Sequence, residues 1–99
     1  MTQSPEYTRW ETRFAKPEYE FGKAPNDFLV RCKPLLPSSG KALAVADGEG
    51  RNGVWLAEQG LAVTSMDFSP SAQKKAAALA AERGVSITLI EGDAHRWDY

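Results

Sequence analysis

Lys41-Ala42-Leu43-Ala44-Val45-Ala46-Asp47-Gly48-Glu49-Gly50-Arg51-Asn52-Gly53 is the stretch that decides the fold. Its first half is a short apolar run, Ala42 to Ala46, bounded by Gly40 and Gly48, the pattern of a parallel strand buried on both faces. Its second half is an acidic glycine turn that opens into helical patterning over Gly50–Gln59, with Val54, Leu56 and Ala57 facing inward. Gly60 stops that helix. Strand, glycine turn and helix in succession form the start of a βαβ unit. The glycines let backbone approach a ligand, and the free N–H groups of the helix start point at it. The plainer reading of the same residues is a tight turn that needs glycines and binds nothing.

Reading on toward the C-terminus, Leu61–Met66 is a second strand that ends at Asp67. Ser69-Pro70 has the N-cap and first-turn chemistry of a helix start, and the alanine-rich run from Ser71 to Arg83 continues it until Gly84. Val85–Ile90 alternates as a third strand. This β-α-β-α-β order with short connections predicts an α/β fold with a parallel sheet and right-handed crossovers. Reading back toward the N-terminus, Pro34, Pro37, Ser38, Ser39 and Gly40 form a breaker cluster. Before it come a helix from Asn26 to about Pro34, a loop through Gly22 and a helix around Pro5–Phe14, rich in aromatics. Two parts are expected, a helical segment over 1–40 and a sheet-forming half over 41–99.

The chain has 99 residues, 42% of them hydrophobic, with three Trp and one Cys. That supports one small domain with a packed interior. A net charge of −1 gives no nucleic-acid footprint and no polybasic membrane patch. The apolar runs are too short to span a bilayer and no signal-peptide pattern opens the chain, so a cytoplasmic location is expected. Cys32 reads as a small buried hydrophobe, His95 as a solvated loop residue, and Lys74-Lys75 as a solvated helix face. No His, Cys or carboxylate cluster has metal-ligand spacing.

In open α/β sheets ligands sit outside the carboxyl ends of the strands. Three acidic turns stand there: Asp47-Gly48-Glu49-Gly50, Asp67-Phe68-Ser69 and Gly92-Asp93-Ala94. Asp67 comes about 20 residues after the glycine turn, the place where an acid accepts from ribose hydroxyls, unless it only caps the next helix. Phe68 is suited to a purine face or to the core. Asp93 is placed for an exocyclic amine, or for capping a helix after it.

Glycine turn, ribose acid and adenine acid in that order resemble the ladder of class I S-adenosylmethionine-dependent methyltransferases. The likeness sharpens in Gly48-Glu49-Gly50-Arg51-Asn52, Leu56-Ala57-Glu58-Gln59-Gly60 and Asp67-Phe68-Ser69-Pro70, and is nearest to the tellurite-resistance and thiopurine-type branch. Trp10-Glu11-Thr12-Arg13-Phe14 with Tyr19, Gly22, Pro25 and Asn26 resembles that branch's N-terminal lid. The resemblance implies a Rossmann-like methyltransferase fold and S-adenosylmethionine as cofactor. It also implies a small-molecule methyl acceptor such as a thiol or metalloid oxyanion. It places Asp47, Gly48, Glu49, Gly50 and Asn52 around the methionine end, Asp67 at the ribose, Phe68 beside adenine, and Asp93 with Ala94 at its amine. Trp10 and Arg13 would close over the cofactor, and no catalytic residue is assigned.

The chain departs from the family in two ways. Ala44 stands where most members carry a strand acid, and Ala46 where they carry the first glycine. The family also continues with a fourth strand beside the first, so this chain reads as the N-terminal half alone. An open first strand is an edge through which copies would pair into a homo-oligomer. Two rival readings are an NAD-binding dehydrogenase domain, from Gly48-x-Gly50-x-x-Gly53, and a truncated non-catalytic binding module.

Overall fold

A computed structural model describes residues 4–93. Helix α1 (Pro5–Phe14) begins under a Ser4 cap whose side chain accepts from the Tyr7 amide. Helix α2 (Asp27–Arg31) is capped by Asn26, but it stops at Cys32, and a separate 3-10 turn covers Lys33–Leu35. The single helix expected to Pro34 is therefore divided. Proline lacks the N–H that would continue the ladder and its ring disfavours helical backbone at the residue before it.

The sheet comprises β1 (Lys41–Val45), β2 (Ala62–Asp67) and β3 (Thr88–Glu91), all parallel, in the order β1-β2-β3. Lys41 pairs with Ala62 and Val45 with Met66, while Thr64 pairs with Thr88 and Asp67 with Glu91. Helix α3 (Arg51–Glu58) joins β1 to β2, and α4 (Pro70–Glu82) joins β2 to β3. The α/β half expected from the sequence is present, and with it the truncated Rossmann-like architecture.

Two strand readings need correction. Val85, Ser86 and Ile87 lie before β3, although Val85 and Ile87 still pack against Val54, Leu79 and Ala80. The alternation reflected burial rather than strand pairing, since the Val85 amide returns to Ala80 at the end of α4. Strand β1 is not buried on both faces. Ala42 and Ala44 turn inward while Leu43 and Val45 are 47% and 44% exposed, because β1 is an edge and no described helix covers that face. Among the described residues β1 is an outer strand of the sheet, as inferred from the sequence.

The core lies between the sheet and helices α3 and α4. Leu56, Leu61 and Val63 form one cluster, joined by Leu29 and Leu36 from the N-terminal segment. Ser69 caps α4 by accepting from the Ala72 amide, as its Ser-Pro start indicated. Ala46 is a non-glycine residue in the left-handed region, at φ 52°. That conformation costs an L-residue on the order of 1–2 kcal/mol. Ala46→Gly is accordingly expected to raise stability by about 1 kcal/mol, read as a higher urea midpoint at unchanged slope.

Candidate functional site

The carboxyl ends of the three strands open onto a cavity of about 580 Å³, within the range of small-ligand and cofactor sites. Asp67, the last residue of β2, is only 6% exposed and faces it. Asp67 Oδ1 accepts from the Gly48 amide at 3.2 Å and Oδ2 from the Ser69 amide at 3.0 Å. One carboxylate thus holds both the glycine turn and the start of α4 in place. Burial raises its pKa, against the opposing pull of those backbone donors.

Asp47 sits at the other side of the glycine turn. Its Oδ2 accepts from Ser65 Oγ at 2.7 Å and its Oδ1 from the Gly53 amide at 3.2 Å, in the first turn of α3. This carboxylate supplies the cap that Gly50, lacking a side chain, cannot. Burial pushes its carboxyl up to about 6 and the nearby Asp67 adds to the rise, while Ser65 and Gly53 oppose it.

Each fingerprint glycine has a packing reason inside the protein. A Cβ on Gly48, at φ 60°, would meet the Phe14 ring at 3.3 Å. On Gly50, at φ 87°, it would press into Ala76 of α4 at 2.7 Å, and on Gly53 it would strike Asp47 Oδ2 at 2.3 Å. Gly50 therefore serves the close approach of α3 and α4 and does not line the cavity. Of the two glycines read from the sequence as ligand-facing, Gly48 lines the cavity.

The rest of the Gly-Glu-Gly-Arg-Asn string fastens the N-terminal segment. Glu49 is 4% exposed; its Oε1 accepts from the Glu20 amide at 2.6 Å and its Oε2 pairs with Lys75 Nζ at 2.7 Å. Arg51 reaches the Ala24 carbonyl and lies over the Phe21 ring, and Asn52 Oδ1 accepts from the Asn26 amide at 2.8 Å. Lys75, read as part of a solvated face, is instead a half-buried partner that also donates to the Glu18 carbonyl. Glu11 completes the attachment by accepting from Ser69 Oγ and from Ser71. Burial works against its charge, yet the Ser71 and Ser69 bonds outweigh it and leave the pKa lowered.

The cavity wall opposite the strands comes from that segment. Trp10 stacks on Phe14 with ring centroids 5.4 Å apart, and both line the cavity with Phe21 and Gly22. Arg13 does not reach it. Its guanidinium lies over Trp10 and is bound by Glu20 Oε1, which explains why it braces the wall instead of facing a ligand. Phe68 meets Tyr7 edge to face, and Asp93 lines the far end. Of the residues expected around a cofactor, the cavity gathers Trp10, Asp47, Gly48, Glu49, Asn52, Asp67, Phe68 and Asp93. Ala94 and His95 lie outside the described residues. In the sequence Glu11, Phe14 and Tyr19 stand out only as part of the lid-like segment, without a role, and Phe21 is not singled out for the site; the Tyr19 hydroxyl donates to the Lys75 carbonyl.

The charge of the lining decides what the cavity can hold. Glu6, Asp47, Glu49, Asp67 and Asp93 face it, against Arg51, with Glu6 paired to Arg9 and Glu49 to Lys75. The α3 N-terminus is capped by the protein's own Asp47, so a pyrophosphate would meet carboxylates where a dinucleotide fold offers free amides. A cationic ligand is favoured, which disfavours the NAD-binding alternative. Among the described residues no helix is long and apolar enough to cross a membrane.

A family model described as a methyltransferase domain matches residues 42–99. The chain belongs to the methyltransferase-domain family. Among solved structures, this methyltransferase domain is 31% identical, with a TM-score of 0.67, to a protein described by the conversion of a disulfide bond into a thioacetal group during echinomycin biosynthesis. The alignment covers 87% of this chain and 36% of that one. It is 27% identical, at a TM-score of 0.55, to a TehB-like SAM-dependent methyltransferase from Corynebacterium glutamicum, covering 87% of this chain and 42% of that one. A SAM-dependent methyltransferase from Geobacter sulfurreducens, in complex with S-adenosyl-L-homocysteine, shares the fold at 24% identity and a TM-score of 0.67, over 95% of this chain and 39% of that one. The domain thus spans well under half the length of the structures it matches. Comparison with curated proteins returns no match.

Proposed function

We propose that this chain is the cofactor-binding portion of an S-adenosylmethionine-dependent methyltransferase acting on a small molecule. The observation that carries the reading is Asp67, buried at the end of β2 in an acid-lined cavity beside a glycine turn. The carboxylate already accepts the Gly48 and Ser69 amides, with the Phe68 amide also directed at it, and it retains acceptor capacity for a ribose hydroxyl. Phe68 offers a ring beside that position and Asp93 an acceptor at the far end of the cavity. The carboxylates around Gly48 suit a ligand carrying both an ammonium and a sulfonium. When bound, such a cofactor supplies an electrophilic methyl group. The protein's part is to orient it, exclude water and hold the acceptor in line.

A soft acceptor, a thiol or a metalloid oxyanion, is the reading we favour for the substrate. It draws on the sequence likeness to the tellurite-resistance branch and on the TehB-like and sulfur-transforming relatives at 27–31% identity. An already anionic sulfur nucleophile needs no general base. Residues that bind the acceptor would come largely from outside this portion.

Isothermal titration with S-adenosylhomocysteine, with NADH in parallel, tests the cofactor reading. Binding of the former alone is expected, and preference for NADH overturns it. Asp67→Asn should weaken S-adenosylhomocysteine binding on the order of tenfold or more, because a charge-assisted bond to the ribose is lost. Unchanged affinity would remove Asp67 from the site.

A further inference from the structure

The turn that leads from β2 into α4 is held from outside as well as by its own backbone. Helix α1 reaches it at two points. Glu11 accepts from Ser69 Oγ at 2.9 Å and from Ser71, through both its amide and its hydroxyl. Tyr7, four residues earlier and so on the same face of the helix, meets Phe68 edge to face, with ring centroids 5.6 Å apart and planes at 74°. Tyr7 is itself tied to the helix start, because its amide donates to Ser4 Oγ. Ser4 and Glu6 line the cavity beside Phe68, whereas Tyr7 lies behind that ring and does not line it.

The backbone on either side of Phe68 is fixed. Asp67 closes β2 in the ladder with Glu91, and Ser69 caps α4. The rotation of the half-buried Phe68 side chain is what that backbone leaves open. In an edge-to-face pair the positive edge of one ring meets the negative face of the other, so the contact sets orientation as well as position. Tyr7 therefore selects how the Phe68 ring stands in the cavity.

We propose that Tyr7 is a positioning residue for the purine of the cofactor, acting through Phe68. This rests on the cofactor reading above and adds to it a residue of α1 that touches no ligand. The N-terminal segment then serves the cavity in two ways. Trp10, Phe14 and Phe21 line it directly, while Tyr7 and Glu11 hold the turn that presents Asp67 and Phe68. Without Tyr7 the Phe68 ring would have to be ordered as the ligand binds, and that ordering subtracts from affinity.

The test is a double-mutant cycle on the full chain, read by calorimetry with 5′-methylthioadenosine, which carries the purine. Phe68→Ala should weaken that ligand, since the ring beside the purine is gone. Tyr7→Ala should weaken it by about three- to tenfold. Tyr7→Phe, which keeps the ring, should retain wild-type affinity. Added to Phe68→Ala, Tyr7→Ala should cause no further loss, because no ring is left to hold. An equal loss from Tyr7→Ala with and without Phe68 would show that Tyr7 only supports the fold, and overturns the proposal. A Tyr7→Phe variant as weak as Tyr7→Ala overturns it too, as does a Phe68→Ala variant that binds like the wild type. Those three outcomes leave the cofactor reading standing, because the wild type still binds. Failure of the wild type to bind either methylthioadenosine or S-adenosylhomocysteine overturns both readings. Should Tyr7→Ala not fold, Tyr7→Leu, which keeps apolar bulk without an aromatic edge, replaces it in the cycle with the same expected results.

Discussion

Gly50→Ala is expected to destabilise the protein by about 2–5 kcal/mol, the sum of a left-handed backbone penalty and an overpacked helix contact. Gly50 has φ 87°, and its new Cβ would lie 2.7 Å from the Ala76 Cβ and 2.9 Å from the Ala76 Cα. Ala76 is fully buried in α4, and a backbone atom cannot rotate away. Relief requires α3 and α4 to separate, which opens the core at Val54 and Leu79. Gly84→Ala is the matched control, because Gly84 has φ 70° with open space around it. It should cost only the backbone part, about 1–2 kcal/mol. Urea titration of both variants separates the two contributions. Equal losses would show that α3 and α4 have slack and that Gly50 is required by its backbone angle alone.

The second large effect concerns the ion pair beneath the N-terminal segment. Glu49→Ala leaves the Lys75 ammonium, its side chain 14% exposed, without its carboxylate and the Glu20 amide without its acceptor. Removing one member of a fully buried pair typically costs about 3–5 kcal/mol, and with Lys75 half-buried about 1–3 kcal/mol is expected here. Replacing both by neutral residues, Glu49→Gln with Lys75→Met, should cost clearly less than Glu49→Ala, since no charge is then stranded. The consequence extends to the site. Glu18, Glu20 and Tyr19 are bound through this pair and through the Lys75 carbonyl, and Phe21 and Gly22 of the cavity wall come directly after them in the chain. Glu49→Ala should therefore also weaken S-adenosylhomocysteine binding. A stability loss with unaltered affinity would show that the wall holds its place without the pair.

These two predictions show that one five-residue string carries several duties. Gly48-Glu49-Gly50-Arg51-Asn52 has the pattern of a ligand loop, and Gly48 and Asn52 do line the cavity. Yet Gly50 serves helix packing, Glu49 an ion pair, and Arg51 and Asn52 the loop leading into α2. The N-terminal segment is thus seated in a socket built by the motif itself. Its aromatics form a wall of the cavity, and Arg13 is spent on Glu20 and Trp10.

The sequence by itself determined the element order, the parallel sheet, the helix caps at Ser69 and Asn26, and the placing of Asp67 at a strand end. Those features depend on local chemistry: hydrophobic period, cap side chains, and glycine or proline at turns. It also marked Ala46 and Ala44 as departures. Only the tertiary structure decided which face of β1 is bare, where β3 begins, and that Lys75 is half-buried against Glu49. It alone brought Asp47 back beside Ser65 and Gly53. Burial and charge pairing depend on residues far apart in the chain meeting in space, as Glu49 meets Lys75 and Glu11 meets Ser71. No local pattern records such meetings, because the partner's identity is set by how the helices pack and not by spacing along the chain.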